Sequence, residues 1–146
     1  MRLLSYTAAL LLAAPIAAFA GETPSAPEAV QYFVNLQDGD TVQSPVTIVF
    51  GLSAMGIAPA GVDNENTGHH HLLIDRPALG EGEDGAEEFV MNMPADDNLM
   101  HFGKGQTEAS IELAPGTHTL QLVLGDKDHI PHNAPVFSEV ITVTVE

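Results

Sequence analysis

Three consecutive histidines are the residues of this chain with the clearest capacity for chemistry. They are His69, His70 and His71, and they lead directly into the apolar run 72–74. Such a run predicts a buried strand, in which successive side chains point to opposite faces. His69 and His71 then share one face, and neutral imidazole is the commonest metal ligand in proteins. The pair therefore predicts the beginning of a metal site, with a solvated polar strand end as the alternative.

The strands that must position these histidines are predicted from alternating apolar and β-branched segments. These segments are 30–36, 45–52, 69–75, 108–113, 117–124 and 136–145. A further short strand is predicted near 87–92, inside a long acidic loop that spans 76–107. No capped apolar repeat of helical period follows the N-terminal twenty residues. The pattern therefore predicts an all-β antiparallel sandwich of about seven strands.

The N-terminal residues predict export. Arg2 precedes an apolar stretch at 8–18, and the sequence Ala18-Phe19-Ala20 fits a small-x-small cleavage site. The apolar stretch is too short for a comfortable membrane span. We therefore predict a soluble periplasmic or secreted protein that is not embedded in the membrane. Its predicted parts are a signal peptide at 1–20, a flexible leader at 21–29 and one sandwich domain at 30–146.

Composition limits the chemistry that the mature protein can perform. The chain contains no cysteine, which excludes disulfides, thiolate nucleophiles and cysteine-ligated copper or zinc. Its formal net charge is −16. Such a charge repels nucleic acid and attracts cations, so no nucleic-acid partner is predicted.

Several longer motifs resemble a bacterial family of exported proteins that is described as a domain of unknown function. The motifs are Asn66-Thr67-Gly68-His69-His70-His71-Leu72-Leu73-Ile74-Asp75, His101-Phe102-Gly103-x-Gly105-Gln106-Thr107-Glu108 and Pro115-Gly116-x-His118-Thr119-Leu120-Gln121-Leu122. The resemblance extends over roughly residues 30–146. It implies an immunoglobulin-like sandwich and an exported protein, and it carries no agreed activity.

The strand order of an immunoglobulin-like sandwich brings the histidines together. Strands 45–52 and 69–75 then run in opposite directions, and strand 117–124 runs antiparallel to 69–75. The start of strand 69–75 and the loop 125–135 therefore meet at one end of the sandwich. The start of strand 108–113 is predicted at that same end. Loops on a rigid β scaffold are a common place for binding sites.

Six residues at this end are predicted as metal ligands: Met55, His69, His71, His101, His129 and His132. Met100 is an alternative ligand because it adjoins His101. Met91 and Met93 are predicted to share the buried face of a strand. His118 falls at the opposite end, where a hydrogen-bonded structural histidine is predicted.

Imidazoles with a thioether and without thiolates favour copper, and zinc is possible on imidazole alone. The sequence therefore predicts an exported metal-binding module, with copper binding or handling as its function. An accessory sandwich with a metal-free structural histidine cluster is one alternative. A metal-dependent redox enzyme is another, although no nucleophile motif is present and catalysis is not favoured.

Overall fold

Nine strands form among residues 21–146, the part of the chain that the computed structural model describes. In chain order the strands are β1 (Val30–Phe33), β2 (Thr41–Val42), β3 (Val46–Ser53), β4 (Gly56–Ile57), β5 (Thr67–Ile74), β6 (Leu99–His101), β7 (Glu108–Ile111), β8 (Gly116–Gly125) and β9 (Ile141–Val145). A short 3-10 helix, Gly85–Phe89, lies between β5 and β6. Among the described residues, no helix has the length and apolar character required to cross a membrane. The predicted signal peptide lies outside these residues.

The strands form two sheets. The smaller sheet has the order β1-β3-β7, and the larger has the order β2-β9-β8-β5-β4, with β6 also pairing with β5. Two facing sheets with β1-β3-β7 in one and β9-β8-β5 in the other have the strand order of an immunoglobulin-like sandwich, which confirms the predicted fold class. The larger sheet is mixed rather than purely antiparallel, because two-residue strands run parallel to β9 and to the start of β5. These short segments bring the strand number above the predicted seven.

The main core lies between the two sheets and follows the alternation of the strands. Ile48 and Phe50 of β3 face Leu72 of β5 and Leu120 and Leu122 of β8, and each is at most 5% exposed. Burial of such apolar side chains is the dominant favourable contribution to folding. Alternate residues of β3, β5 and β8 therefore face this core.

A second, smaller core lies on the outer face of the larger sheet. Leu73 of β5 and Val123 of β8 pack there against Leu79, Met93 and Leu99. The segment between β5 and β6 thus covers the sheet rather than extending from it as a free loop. Strand β5 is buried on both faces, which explains why its sequence lacks the polar alternation of a half-exposed strand.

The predicted strand near 87–92 is wrong. The Glu88 carboxylate accepts hydrogen bonds from Arg76 and from the backbone N–H of Gly80. These contacts fold the segment back on itself and favour the 3-10 helix over an extended strand. Met93 is buried at 4% exposure, whereas Met91 is 55% exposed, so the two do not share a buried face. The strand of this region forms later in the chain, as β6.

Residues 21–25, at the start of the predicted leader, lie against a distant segment of the chain. They run beside residues 131–134, and Pro24 and Asn133 form a parallel bridge. The backbone N–H of Gly21 donates to the Pro131 carbonyl at 3.1 Å, and that of Asn133 donates to the Thr23 carbonyl at 2.8 Å. The sequence of this segment has no apolar periodicity. Its position is determined by hydrogen bonds to backbone groups that are distant in the chain.

Candidate metal centre

The three consecutive histidines alternate between the two faces of β5. His70 points into the main core, where its ring centroid lies 5.0 Å from that of Phe50. The side-chain amide of Gln31 donates to its Nδ1 at 2.7 Å. His69 and His71 point to the outer face, and their ring centroids are 4.6 Å apart. The predicted division of the triplet is confirmed.

A glycine on the neighbouring strand makes room for one of these rings. Gly125 lies opposite His69 in the β5–β8 register. A β-carbon at this position would lie 2.3 Å from Cε1 of His71, closer than any real contact. The His71 imidazole therefore occupies the space that a side chain at 125 would fill.

The loop after β8 brings a third imidazole to the same place. Nδ1 of His129 lies 2.9 Å from Nε2 of His69 and 3.2 Å from Nε2 of His71. One ring nitrogen from each of the three histidines lies within 4.8 Å of the others. His69 and His71 are fully buried, whereas His129 is half-buried. The cluster therefore meets solvent on the side of His129.

Asp126 fixes the conformation of this loop. Its Oδ1 accepts hydrogen bonds from the backbone N–H groups of Asp128 and Ile130, at 2.9 and 3.0 Å. Its Oδ2 accepts a hydrogen bond from the Thr23 hydroxyl at 2.6 Å. His129 has a φ of 64°, which is uncommon for a residue other than glycine. The carboxylate of Asp126 thus holds the turn that presents the His129 ring.

His101 adds a fourth ring to the cluster. It lies opposite His71 in the β5–β6 register, and the two ring centroids are 4.5 Å apart. Its ring also stacks on that of His129 at a centroid distance of 4.5 Å. Nε2 of His101 is buried and has no hydrogen-bond partner among the described residues. Met100, the alternative ligand, packs instead against the main core, on the other face of the sheet from His101.

Two other predicted ligands lie outside the group of three. The ring nitrogens of the buried His132 face backbone carbonyls, at 3.4 Å from the oxygen of Leu124 and 3.2 Å from that of Thr67. Met55 is half-buried in the turn between β3 and β4. His118 is at the opposite end of β8, where it pairs with Asp75 at 2.6 Å, as predicted.

Burial favours the neutral form of three imidazoles of the cluster, those of His69, His71 and His101. Burial, followed by repulsion from His129 and His101, lowers the pKa of His69 to about 4. Burial and repulsion from His69 hold the pKa of His71 well below its usual value. Burial also lowers the pKa of His101, against the opposing effect of the Pro94 and Met93 carbonyls. Neutral imidazole is the form that binds metal ions, so these ligands need not lose a proton at neutral pH.

Several ring nitrogens of the cluster lack a good hydrogen-bond partner within residues 21–146. Nδ1 of His69 and Nδ1 of His71 are buried without a hydrogen-bond partner among the described residues. A buried polar group without a partner costs on the order of 1–3 kcal/mol. At the centre, Nδ1 of His129 faces two ring nitrogens, although a neutral imidazole nitrogen carries only one proton or one lone pair. The three imidazoles could hold a metal ion, which would accept a lone pair from each.

Comparison with protein families gives a match to the model of DUF4399, a domain of unknown function, over residues 48–146. The chain belongs to this family. The matched region contains all four histidines of the cluster and both strands that carry them, whereas Thr23 and β1 precede it. Searches among curated proteins and among solved structures give no match for this chain.

Three residues that shape the cluster were not identified from the sequence. Gly125 ends an alternating apolar strand, and a glycine in that position could have indicated close approach of another group. The sequence around Thr23 and Met93 gives no such indication. Thr23 contacts Asp126 and Met93 contacts His129, and each contact joins segments that are distant in the chain.

Proposed function

We propose that this protein is an exported metal-binding module that binds or handles copper without catalytic turnover. His69, His71 and His129 supply three imidazole ligands, and His101 is placed to supply a fourth. The observation that carries the proposal is the approach of three ring nitrogens to within 4.8 Å of one another. Two of these imidazoles project from a rigid strand, as metal sites require for fixed geometry.

Copper is the metal that suits this group best. The donors are imidazoles, and the chain offers thioethers but no cysteine. Among divalent first-row metals, a given nitrogen site binds copper most tightly, with zinc weaker. The net charge of −16 also concentrates cations near the protein. Zinc is the second metal to test.

Export is supported by the N-terminal sequence alone. Arg2, the apolar stretch 8–18 and the Ala18-Phe19-Ala20 site together have the pattern of a cleaved signal peptide. N-terminal sequencing of the exported protein should therefore begin at Gly21. A protein that retained Met1 would contradict this part of the proposal and leave the metal site unaffected.

A metal-free structural cluster is the main rival, because His129 lies within hydrogen-bonding distance of both His69 and His71. Such a cluster would account for the packing of the rings. It would bring two ring nitrogens to a third that can serve only one of them well. In either case, the buried Nδ1 atoms of His69 and His71 lack a hydrogen-bond partner within the described part of the chain. A bound ion removes the conflict at His129 directly, and for this reason we favour metal binding.

The decisive experiment is metal analysis of untagged protein, followed by competition titrations with copper and zinc. A ligand present at a hundredfold excess over its dissociation constant stabilises a protein by roughly 2.7 kcal/mol. The parent protein should therefore melt at a higher temperature with copper. His71→Ala should lose most of this rise, whereas His118→Ala should retain it. A parent protein that gains no stability from either metal would favour the structural cluster.

A further inference from the structure

Met93 contacts the histidine cluster through both its backbone and its side chain. Its backbone N–H donates to the His129 carbonyl at 2.9 Å. Its own carbonyl and that of Pro94 lie near enough to His101 to act on that ring. Met93 is 4% exposed and follows the segment that covers the outer face of the larger sheet. It is thus held against two histidines before its side chain is considered.

The side chain of Met93 reaches the same space as the His71 ring. Its terminal methyl carbon lies 2.9 Å from the position that a β-carbon at Gly125 would occupy, and Cε1 of His71 lies 2.3 Å from that position. The methyl group of Met93 and the imidazole of His71 therefore both occupy the space over Gly125. Leu73, Leu79, Leu99 and Val123 pack with Met93 in the smaller core.

The charge of the donors favours a monovalent ion. His69 and His71 are fully buried, and imidazole binds a metal ion in its neutral form. A thioether is also neutral, and the buried carboxylate of Asp126, whose charge acts on His69, would offset one positive charge of a bound ion. The cost of burying an uncompensated charge is high and in a continuum grows with the square of the charge, so a monovalent ion is favoured. Copper(I) is the monovalent ion for which imidazole and thioether are both good ligands.

We propose that the Met93 thioether is a soft ligand that gives the histidine site a preference for copper(I) over zinc. This inference depends on the metal-binding function proposed above, and it replaces Met55 with Met93 as the sulfur donor. Methionine is unbranched and its side chain has three rotatable bonds, so rotation within the side chain would turn the sulfur toward the ion without displacing the backbone.

The test compares Met93→Leu with Met91→Leu in the otherwise unchanged chain. Leucine preserves the apolar volume at position 93, and Met91 is a thioether two residues away that is 55% exposed. Copper(I), supplied anaerobically with a chromophoric chelator as competitor, gives the affinity, and a parallel titration gives the zinc affinity. X-ray absorption at the copper edge reports whether sulfur is bound.

We expect a copper–sulfur distance in the parent protein and in Met91→Leu, and its loss in Met93→Leu. Met93→Leu should lower copper(I) affinity by roughly ten- to a hundredfold, the effect of removing groups that support a metal site, and leave zinc affinity unchanged. A parent that binds copper(I) through nitrogen alone, or equal copper(I) affinity in the two variants, would overturn the role of Met93 and leave the metal site standing. A parent that binds neither ion would overturn the proposed function and this inference together.

A folding defect is separated from loss of a ligand by the metal-free protein. The melting temperature of metal-free Met93→Leu should stay close to that of the parent, since exchange of methionine for leucine conserves volume. If zinc and copper(I) affinities fell together in this variant, Met93 would be a packing residue and the inference would be wrong.

Discussion

Gly125 is the single residue on which the geometry of the histidine cluster depends most directly. The His71 ring and the Met93 methyl group both occupy the space that any other residue at this position would fill. Its backbone has no left-handed conformation that would by itself require glycine. The requirement for glycine is therefore the close approach of two side chains from other segments.

We expect Gly125→Ala to destabilise the fold and to weaken copper binding. The new methyl group would displace the His71 ring, and overpacking of this kind costs about 1–3 kcal/mol. Chemical denaturation measures the first effect and copper titration the second. Gly56→Ala is the matched control, because its nearest neighbour would be the Thr67 methyl at an ordinary 3.4 Å. Equal behaviour of the two variants would contradict the proposed packing.

His118 gives a pH-dependent prediction away from the cluster. Its hydrogen bond to the Ala114 carbonyl, together with that to the Asp75 carboxylate, raises its pKa above 6.5. Because the pKa is raised in the folded state, the stabilisation is fully present below pH 6.5 and is lost as pH rises through the folded value. His118→Gln should therefore destabilise the protein at acidic pH and have little effect at alkaline pH.

NMR titration measures this pKa directly. In the parent protein it should lie above 6.5, and Asp75→Asn should lower it without restoring the ordinary value, since the Ala114 carbonyl remains. If His118 titrates at or below 6.5 in the parent, the pairing at this end of β8 does not operate in solution.

At the scale of elements, the sequence predicted the strands whose pattern is local. The residues of β3, β5 and β8 alternate or form a continuous apolar run, and side-chain direction in a strand follows from this alone. The sequence did not predict β6, because three residues are too few to show a period. Its partner β5 determines where it pairs, and that pairing places His101 against His71.

Substitution of Asp126 tests whether the turn after β8 positions His129. Asp126→Ala removes the acceptor of three hydrogen bonds, so we expect a destabilisation of about 1–3 kcal/mol. We also expect a loss of copper affinity of roughly ten- to a hundredfold, which is typical when a group that orients a metal ligand is removed. Asp128→Ala is the control. The exposed Asp128 carboxylate contacts Lys127, and its removal should leave the hydrogen bonds of the turn intact. Thermal unfolding and copper titration of both variants provide the measurement, and equal losses would indicate a charge effect of the loop instead.

At the scale of the whole molecule, the order of the strands was enough to predict that the histidines meet at one end. Because β5 and β8 are antiparallel neighbours, the start of β5 lies beside the end of β8, whatever the details of side-chain packing. The covering segment and the N-terminal residues could not be predicted in this way. Their positions depend on backbone groups and side chains far away in the chain, such as the contact between Thr23 and Asp126.

Removal of residues 21–25 tests whether the N-terminal segment is part of the fold. The deletion removes backbone hydrogen bonds to 131–134 and the Thr23 contact with Asp126. Each such bond contributes roughly 0.5–1.5 kcal/mol, so the melting temperature should fall by several degrees. Thr23→Val in the full chain isolates the side-chain contact and should have a smaller effect. An unchanged melting temperature after the deletion would support the flexible leader predicted from the sequence.

Because β5 is buried on both faces, His69 and His71 should move more slowly than His129, which lies in the loop after β8. Amide protons at His69 and His71 should exchange with solvent only when the sandwich opens globally, whereas those of the partly exposed loop 126–130 should exchange through local opening. A bound ion would then leave when His129 moves away from two fixed imidazoles. Its residence time would follow the opening rate of one turn, and the fold would remain closed throughout.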